Sequence, residues 1–417
     1  MQSRKLPIIF STGMVLVVML ACAIPLPTPV TPTDDSSSPT VTDTPELVLP
    51  PPVVASLRVV YSKAGNVWSW TEGGSPLQLT FSGDAGNPRL SSNGQVVAFN
   101  KGGELWAVNA DGSDVRQLVD LAFMAAYAST PGDQVIVDDI LWLNQYNQVV
   151  FNTLEITQGA GYQVPLFDFK VADADSGISA TASPGEGGVP YLSPDNNVLA
   201  LSRPEKVILR FMGQNVPYVE IFTFPIVLTY SEWLYVPELV WLPDSSAFRV
   251  VVPAHDPLAE PGQVSSFWNV PVSGTPTRLA TFVSVPAFVA PPFVSPDGQL
   301  VVYQVDNGSN TEIHTITAGG LDTLMLSFPL TTVDLLGWNP DSVHFVFSQP
   351  DPVHANLGTA GSSQPLGDTS KVQKIRWVDA NRYLFMNGDE LRISELGGAS
   401  VLIDAGVSEY DFVRFGE

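Results

Sequence analysis

The chain has 417 residues, 45% of them hydrophobic and 15% charged, with 33 Gly and 36 Pro, enough apolar residue to fill a sizeable core. Its 42 acidic residues against 19 Lys and Arg give a formal net charge of -23, which repels phosphate backbones and argues against nucleic acid as a partner. A single cysteine, Cys22, excludes an intramolecular disulfide and any thiolate metal cluster.

The N-terminus reads as an export signal. Arg4 and Lys5 precede an apolar run from Leu6 to Ala21. A basic head followed by about 15 apolar residues is the secretory pattern, and the run is short for a bilayer span, which takes about 20 residues. It ends at Met19-Leu20-Ala21-Cys22, which resembles a bacterial lipoprotein box, although Met19 stands where that family usually has leucine. The resemblance implies cleavage before Cys22, with Cys22 as the lipidated residue and residues 1–22 as the signal. Two other readings compete: ordinary signal cleavage after Ala23, and a retained anchor. All three place the body outside the cytoplasm.

Residues 23–56 are rich in Pro, Thr and Ser and nearly free of aromatic residues. Such a stretch cannot bury a core and reads as a semi-stiff stalk.

From Leu57 to the last residue no helical period is sustained. Short β-branched and aromatic runs alternate with Gly, Pro, Asn and Asp, which predicts an all-β body. A turn recurs through it: Ser92-Asn93-Gly94, Ser193-Pro194-Asp195-Asn196, Leu242-Pro243-Asp244-Ser245, Ser295-Pro296-Asp297-Gly298 and Asn339-Pro340-Asp341-Ser342. Weaker copies are Asn144-Gln145-Tyr146-Asn147 and Val378-Asp379-Ala380-Asn381. Proline presets the first central turn position, Asp hydrogen-bonds its own turn, and Gly or Asn tolerates the left-handed residue. An apolar strand follows most copies, such as Val198-Leu199-Ala200-Leu201, and Trp142, Trp241, Trp338 and Trp377 stand just before four of them.

Turn centres at 93, 146, 195, 244, 297, 341 and 380 step by 39 to 53 residues. One four-stranded propeller blade takes about 40 to 50 residues. The body opens at Leu57-Arg58-Val59-Val60-Tyr61, which matches a second blade strand. It closes at Glu409-Tyr410-Asp411-Phe412-Val413-Arg414-Phe415, which matches a first strand. The two ends therefore predict one shared blade, closed by the C-terminal strand. The expected fold is an all-β β-propeller of eight four-stranded blades. Seven is the alternative, because the unit from Asp133 to Ser183 has poor strands and a long insertion.

The Ser295-Pro296-Asp297-Gly298 turn before Val301-Val302-Tyr303, with Asn109-Ala110-Asp111-Gly112 in a second hairpin, resembles the TolB-like propeller repeat. The resemblance implies a periplasmic or surface-exposed interaction platform. The same repeat gates prolyl oligopeptidase-like peptidases, but no Gly-x-Ser-x-Gly elbow occurs here.

No catalytic set emerges, and no cofactor is implied. The four histidines, His255, His314, His344 and His354, show no ligand spacing, and Asp173-Ala174-Asp175-Ser176-Gly177 lacks the downstream Glu of a calcium loop. Aligning the inner strands instead places Asp139, Glu238 and Asp334 at one mouth of the central channel, three or four residues before the landmark Trp. Glu409 and Asp411 join from the final strand, and Lys374 takes the matching place in another blade. Convergent carboxylates attract cations and basic peptide segments; solvated loop residues in an acidic protein are the plainer reading.

The expected function is a membrane-tethered, extracytoplasmic interaction or scaffolding module of the cell envelope, with a protein partner and no nucleic acid. A small-ligand or cation sensor and a propeller hydrolase are the alternatives.

Overall fold

A computed structural model describes residues 56–143, 147–159, 161–181, 186–213, 218–231, 233–259, 264–350, 353–367 and 372–415. Cys22, the stalk and most of the weak turn at 144–147 lie outside them.

The described residues form eight antiparallel sheets arranged as the blades of a propeller, so the count is eight and not seven. In chain order from blade 1, the innermost strands are Val407–Phe415, Ala85–Leu90, Gln134–Leu143, Val189–Leu192, Leu239–Trp241, Phe293–Val294, Asp334–Trp338 and Val372–Trp377. Blade 1 is built from both ends of the chain. Ser56–Lys63 pairs antiparallel with Val407–Phe415, Ser56 opposite Phe415 and Ser62 opposite Glu409. The closing strand buries Val407 and Tyr410 against Leu57, Val59 and Tyr61 of the first strand, and Tyr61 donates to Asp404 of blade 8 at 2.7 Å.

Blade 3 departs from four strands. Its second strand, Gln148–Ile156, runs past the blade and pairs a further strand, Gln163–Pro165, at its far end. This is the insertion that made the unit hard to read. Beneath it Asp168 and Lys170 form an ion pair with no solvent exposure, and Thr153 donates to the same carboxylate from both N (2.9 Å) and Oγ1 (2.7 Å). Lys170 Nζ also lies 4.3 Å from the centroid of the Tyr127 ring.

The repeated turn owes its residue types to hydrogen bonds. Ser193 Oγ donates to Asp195 (2.6 Å) and accepts from Val198 N (2.9 Å), and Ser295 does the same with Asp297 and Leu300. The last turn residue is left-handed, with φ of 69° at Gly94, 59° at Asn196, 59° at Ser245, 71° at Gly298 and 58° at Ser342. Serine is a poor choice for that conformation. Here its hydroxyl does something glycine cannot: Ser245 Oγ accepts from Asp195 N and Ser342 Oγ from Asp297 N, both at 3.0 Å, each reaching the turn of the preceding blade.

Three of the four landmark tryptophans have the same job on the inner strands. Trp142 Nε1 donates to Arg89 O (2.9 Å), Trp241 to Tyr191 O (3.0 Å) and Trp338 to Phe293 O (2.9 Å). Each therefore joins its blade to the one before. The cores follow the same logic, since several clusters mix residues of adjacent blades, as where Val302 and Ile313 of blade 6 pack with Trp338, Phe345 and Phe347 of blade 7. A blade cannot cover its own faces, so stacking supplies the burial.

Candidate functional site

In an antiparallel blade, the connection into each inner strand and the hairpin between strands two and three share one face, the channel mouth; the repeated turns lie on the other. Lys374, Glu409 and Asp411 meet in the channel. With Arg89, Arg376 and Trp142 they line a cavity of about 440 Å³ among the inner strands of blades 1, 2, 3 and 8. Both carboxylates have internal partners there. Glu409 pairs with Arg89 at 3.3 Å; Asp411 pairs with Arg376 at 2.8 Å and accepts from Leu90 N at 2.9 Å. Asp411 thus links blades 8, 1 and 2 across the ring closure.

Asp139 and Glu238 lie in two other cavities. Asp139, with Asp138, lines one of about 340 Å³ between blades 3 and 4, and Glu238 lines one of about 380 Å³ between blades 5 and 6. Trp233 and Val236 line both, so the connection from Thr223 to Leu239 forms the wall between them. Asp334 belongs to neither. It is exposed at the start of its strand, with Ser348 Oγ 3.5 Å away. The six positions therefore fall in four places and not in one ring.

Burial sets the electrostatics of Asp138, Asp139 and Glu238. It pushes the Asp138 carboxyl up to about 6, with the Asp139 charge adding to the effect. Asp139 is also raised by burial, against the opposing pull of a hydrogen bond from Asn152 and the charge of Arg89. Glu238 is exposed along its cavity, and partial loss of hydration there raises it too. Asn152 is 4% exposed; its amide nitrogen donates to Gly188 O at 2.7 Å, while its Oδ1 has no partner.

The wall segment carries the most exposed apolar surface of this face. Trp233 is 51% and Tyr230 60% exposed, and Ile226, Leu228 and Leu234 are exposed beside them. Val227 and Tyr235 are buried with Ala287, which fixes the segment to the connection entering blade 6, where Phe288 and Val289 are exposed in turn. Leu228 N donates to His255 O at 2.8 Å and the Tyr230 hydroxyl donates to Asp256, so the blade 5 hairpin is held to it as well.

Sequence alignment of the strands missed Asp138, Asn152, Arg89, Arg376 and Trp233. Arg376 had a signal: it lies two residues after Lys374, hence on the same strand face. Asp138 had none, because alternation puts neighbours on opposite faces, and only the bulge between Val137 and Ile140 brings both carboxylates to one cavity.

The Asp173–Gly177 segment, which lacks the Glu of a calcium loop, is a turn. Asp173 Oδ1 accepts from Asp175 N, Ser176 N and Ser176 Oγ. His344 pairs with Asp341 of its own turn at 2.6 Å. Among the described residues no three His, Cys, Asp or Glu side chains are placed to hold a metal ion.

No known family matches the sequence, and no curated protein does. Solved structures match in fold. A crystal structure of the eukaryotic initiation factor covers 86% of this chain and 98% of its own, with a TM-score of 0.52 at 9% identity. The Dos1 propeller covers 78% of this chain and 84% of its own, with a TM-score of 0.50 at 12% identity. TolB from Acinetobacter baumannii covers 66% of this chain and 68% of its own at 12% identity, with a TM-score of 0.34. At such identities the likeness is one of architecture: this chain is similar to these proteins as a β-propeller.

Proposed function

We propose that this chain is an extracytoplasmic binding propeller, tethered to a membrane by a lipid on Cys22, that docks a protein partner on its channel-mouth face. The observation that carries the docking is the platform of exposed Trp233, Tyr230, Leu234 and Phe288 beside carboxylate-lined cavities. Contiguous exposed apolar surface marks interaction sites on soluble proteins, and interface cores concentrate aromatic residues. The platform is anchored to blades joined by hydrogen bonds, so little ordering cost falls on association. The tether rests on the export pattern and on the position of the only cysteine; two acyl chains hold a protein on a bilayer stably.

In-cell photo-crosslinking tests the docking. A crosslinking amino acid at Tyr230 is expected to capture a discrete protein adduct. The same group at Leu321, exposed in a turn of the opposite face, is expected to capture none. Equal capture at both sites, or none at Tyr230, refutes the docking face. Intact mass of the membrane fraction tests the tether, since acyl chains on Cys22 must vanish in Cys22→Ala.

A further inference from the structure

We propose that the cavity between blades 3 and 4 receives one basic side chain of the docked protein, holding its ammonium or guanidinium head between Asp138, Asp139 and the Oδ1 of Asn152. This rests on the mouth being the docking face. Three independent features converge there. The bulge after Val137 turns two adjacent carboxylates toward the same space. Asn152, almost fully buried, lines that space with an acceptor that has no partner. Buried acceptors are ordinarily satisfied, so an orphan at a cavity wall marks where a donor is missing. Finally, most of the remaining wall is apolar: beside Thr153 and Gln163, the side chains of Phe167, Pro165, Leu234 and Trp233 suit the methylene stem of Lys or Arg.

Charge complementarity selects the occupant. Two carboxylates and an unpartnered amide oxygen in an acidic protein suit a group that only donates, and ammonium and guanidinium are such groups. The cavity, about 340 Å³, is large enough for one such side chain. Glu238 in the neighbouring cavity adds negative potential from the other side of Trp233.

The charged and titratable groups acting on the pair are Arg89 from blade 2 and Tyr191 from blade 4, and Tyr191 in turn is near Tyr235 and Glu238 of the wall segment. Burial raises the Asp138 carboxyl to about 6. A carboxyl must be ionised to hold a cation. At pH 5 roughly a tenth of such a group is ionised, so affinity drops about ten-fold between pH 7.5 and 5.

The test is calorimetric titration of the full-length, detergent-solubilised chain with three probes: the peptide acetyl-Leu-Arg-Leu-amide, its citrulline counterpart, and n-butylguanidinium. The arginine peptide is expected to bind at least about ten-fold more tightly than the citrulline peptide, with the stated loss at pH 5. Asp138→Asn with Asp139→Asn is expected to abolish that preference, with an unchanged circular dichroism spectrum confirming the fold. Weaker binding of n-butylguanidinium than of the arginine peptide supports a protein-borne cation; equal binding overturns that source. Equal binding of arginine and citrulline peptides, or no heat from any probe, overturns the proposal. If Tyr230 crosslinking still captures a partner in that case, the docking face stands and only the cation pocket falls; if crosslinking fails too, both fall.

Discussion

Replacing Asp138 by Asn should stabilise this protein at neutral pH and do almost nothing near pH 4. The folded chain holds the Asp138 proton more tightly than the unfolded chain, because burial raises the carboxyl from its ordinary 3.8 to about 6. Between those values the folded state binds more protons, so stability falls as pH rises from about 4 to 6 and stays lower above it. At about 1.4 kcal/mol per pH unit the ceiling is about 3 kcal/mol at pH 7. The carboxyl retains some solvent, so a gain of about 1–2 kcal/mol is expected. At pH 4 the same arithmetic leaves about 0.5 kcal/mol. Urea denaturation of the wild type and Asp138→Asn at pH 7 and pH 4 reads both values directly. A variant less stable than wild type at pH 7, or an equal gain at both pH values, would show that the carboxyl is not desolvated. A site that costs stability while empty is what a ligand-holding carboxylate entails.

The inter-blade hydrogen bonds give a second prediction: Trp241→Phe leaves the Tyr191 carbonyl without its 3.0 Å donor and should lower stability by about 1–3 kcal/mol in chemical denaturation. In blade 3, Lys170→Met strands the fully buried Asp168 charge and should cost about 3–5 kcal/mol, while Lys170→Met with Asp168→Leu should recover much of the loss; thermal melts of the single and double variants decide it. Truncation after Gly406 removes the closing strand and leaves Ser56–Lys63 as an open edge, so size-exclusion chromatography should find aggregate in place of monomer.

How much of this was legible in the sequence depended on how local the cause is. The Ser-Pro-Asp turns announce themselves because their hydrogen bonds join residues two to five apart, as between Ser193, Asp195 and Val198. Their spacing then carried the repeat, and the mismatched ends at Leu57 and Glu409 carried the ring closure, since a lone second strand and a lone first strand can only satisfy one another. The site was less legible. Glu409 and Asp411 look like free carboxylates along the chain, yet their partners Arg89 and Arg376 come from other blades. Asp138 joins Asp139 only through a bulge, and Asn152 and Trp233 reach their cavity from another strand and from a long connection.

The sequence by itself determined the all-β class, the repeated blade and the shared closing blade, because turn chemistry and period-two alternation act within a few residues. Only the tertiary structure decided which carboxylates are neutralised within the ring and which line open cavities. That depends on how eight blades are packed around one axis, and a side chain's solvation and partners are set by neighbours up to some 340 residues away in the chain, as where Tyr61 meets Asp404.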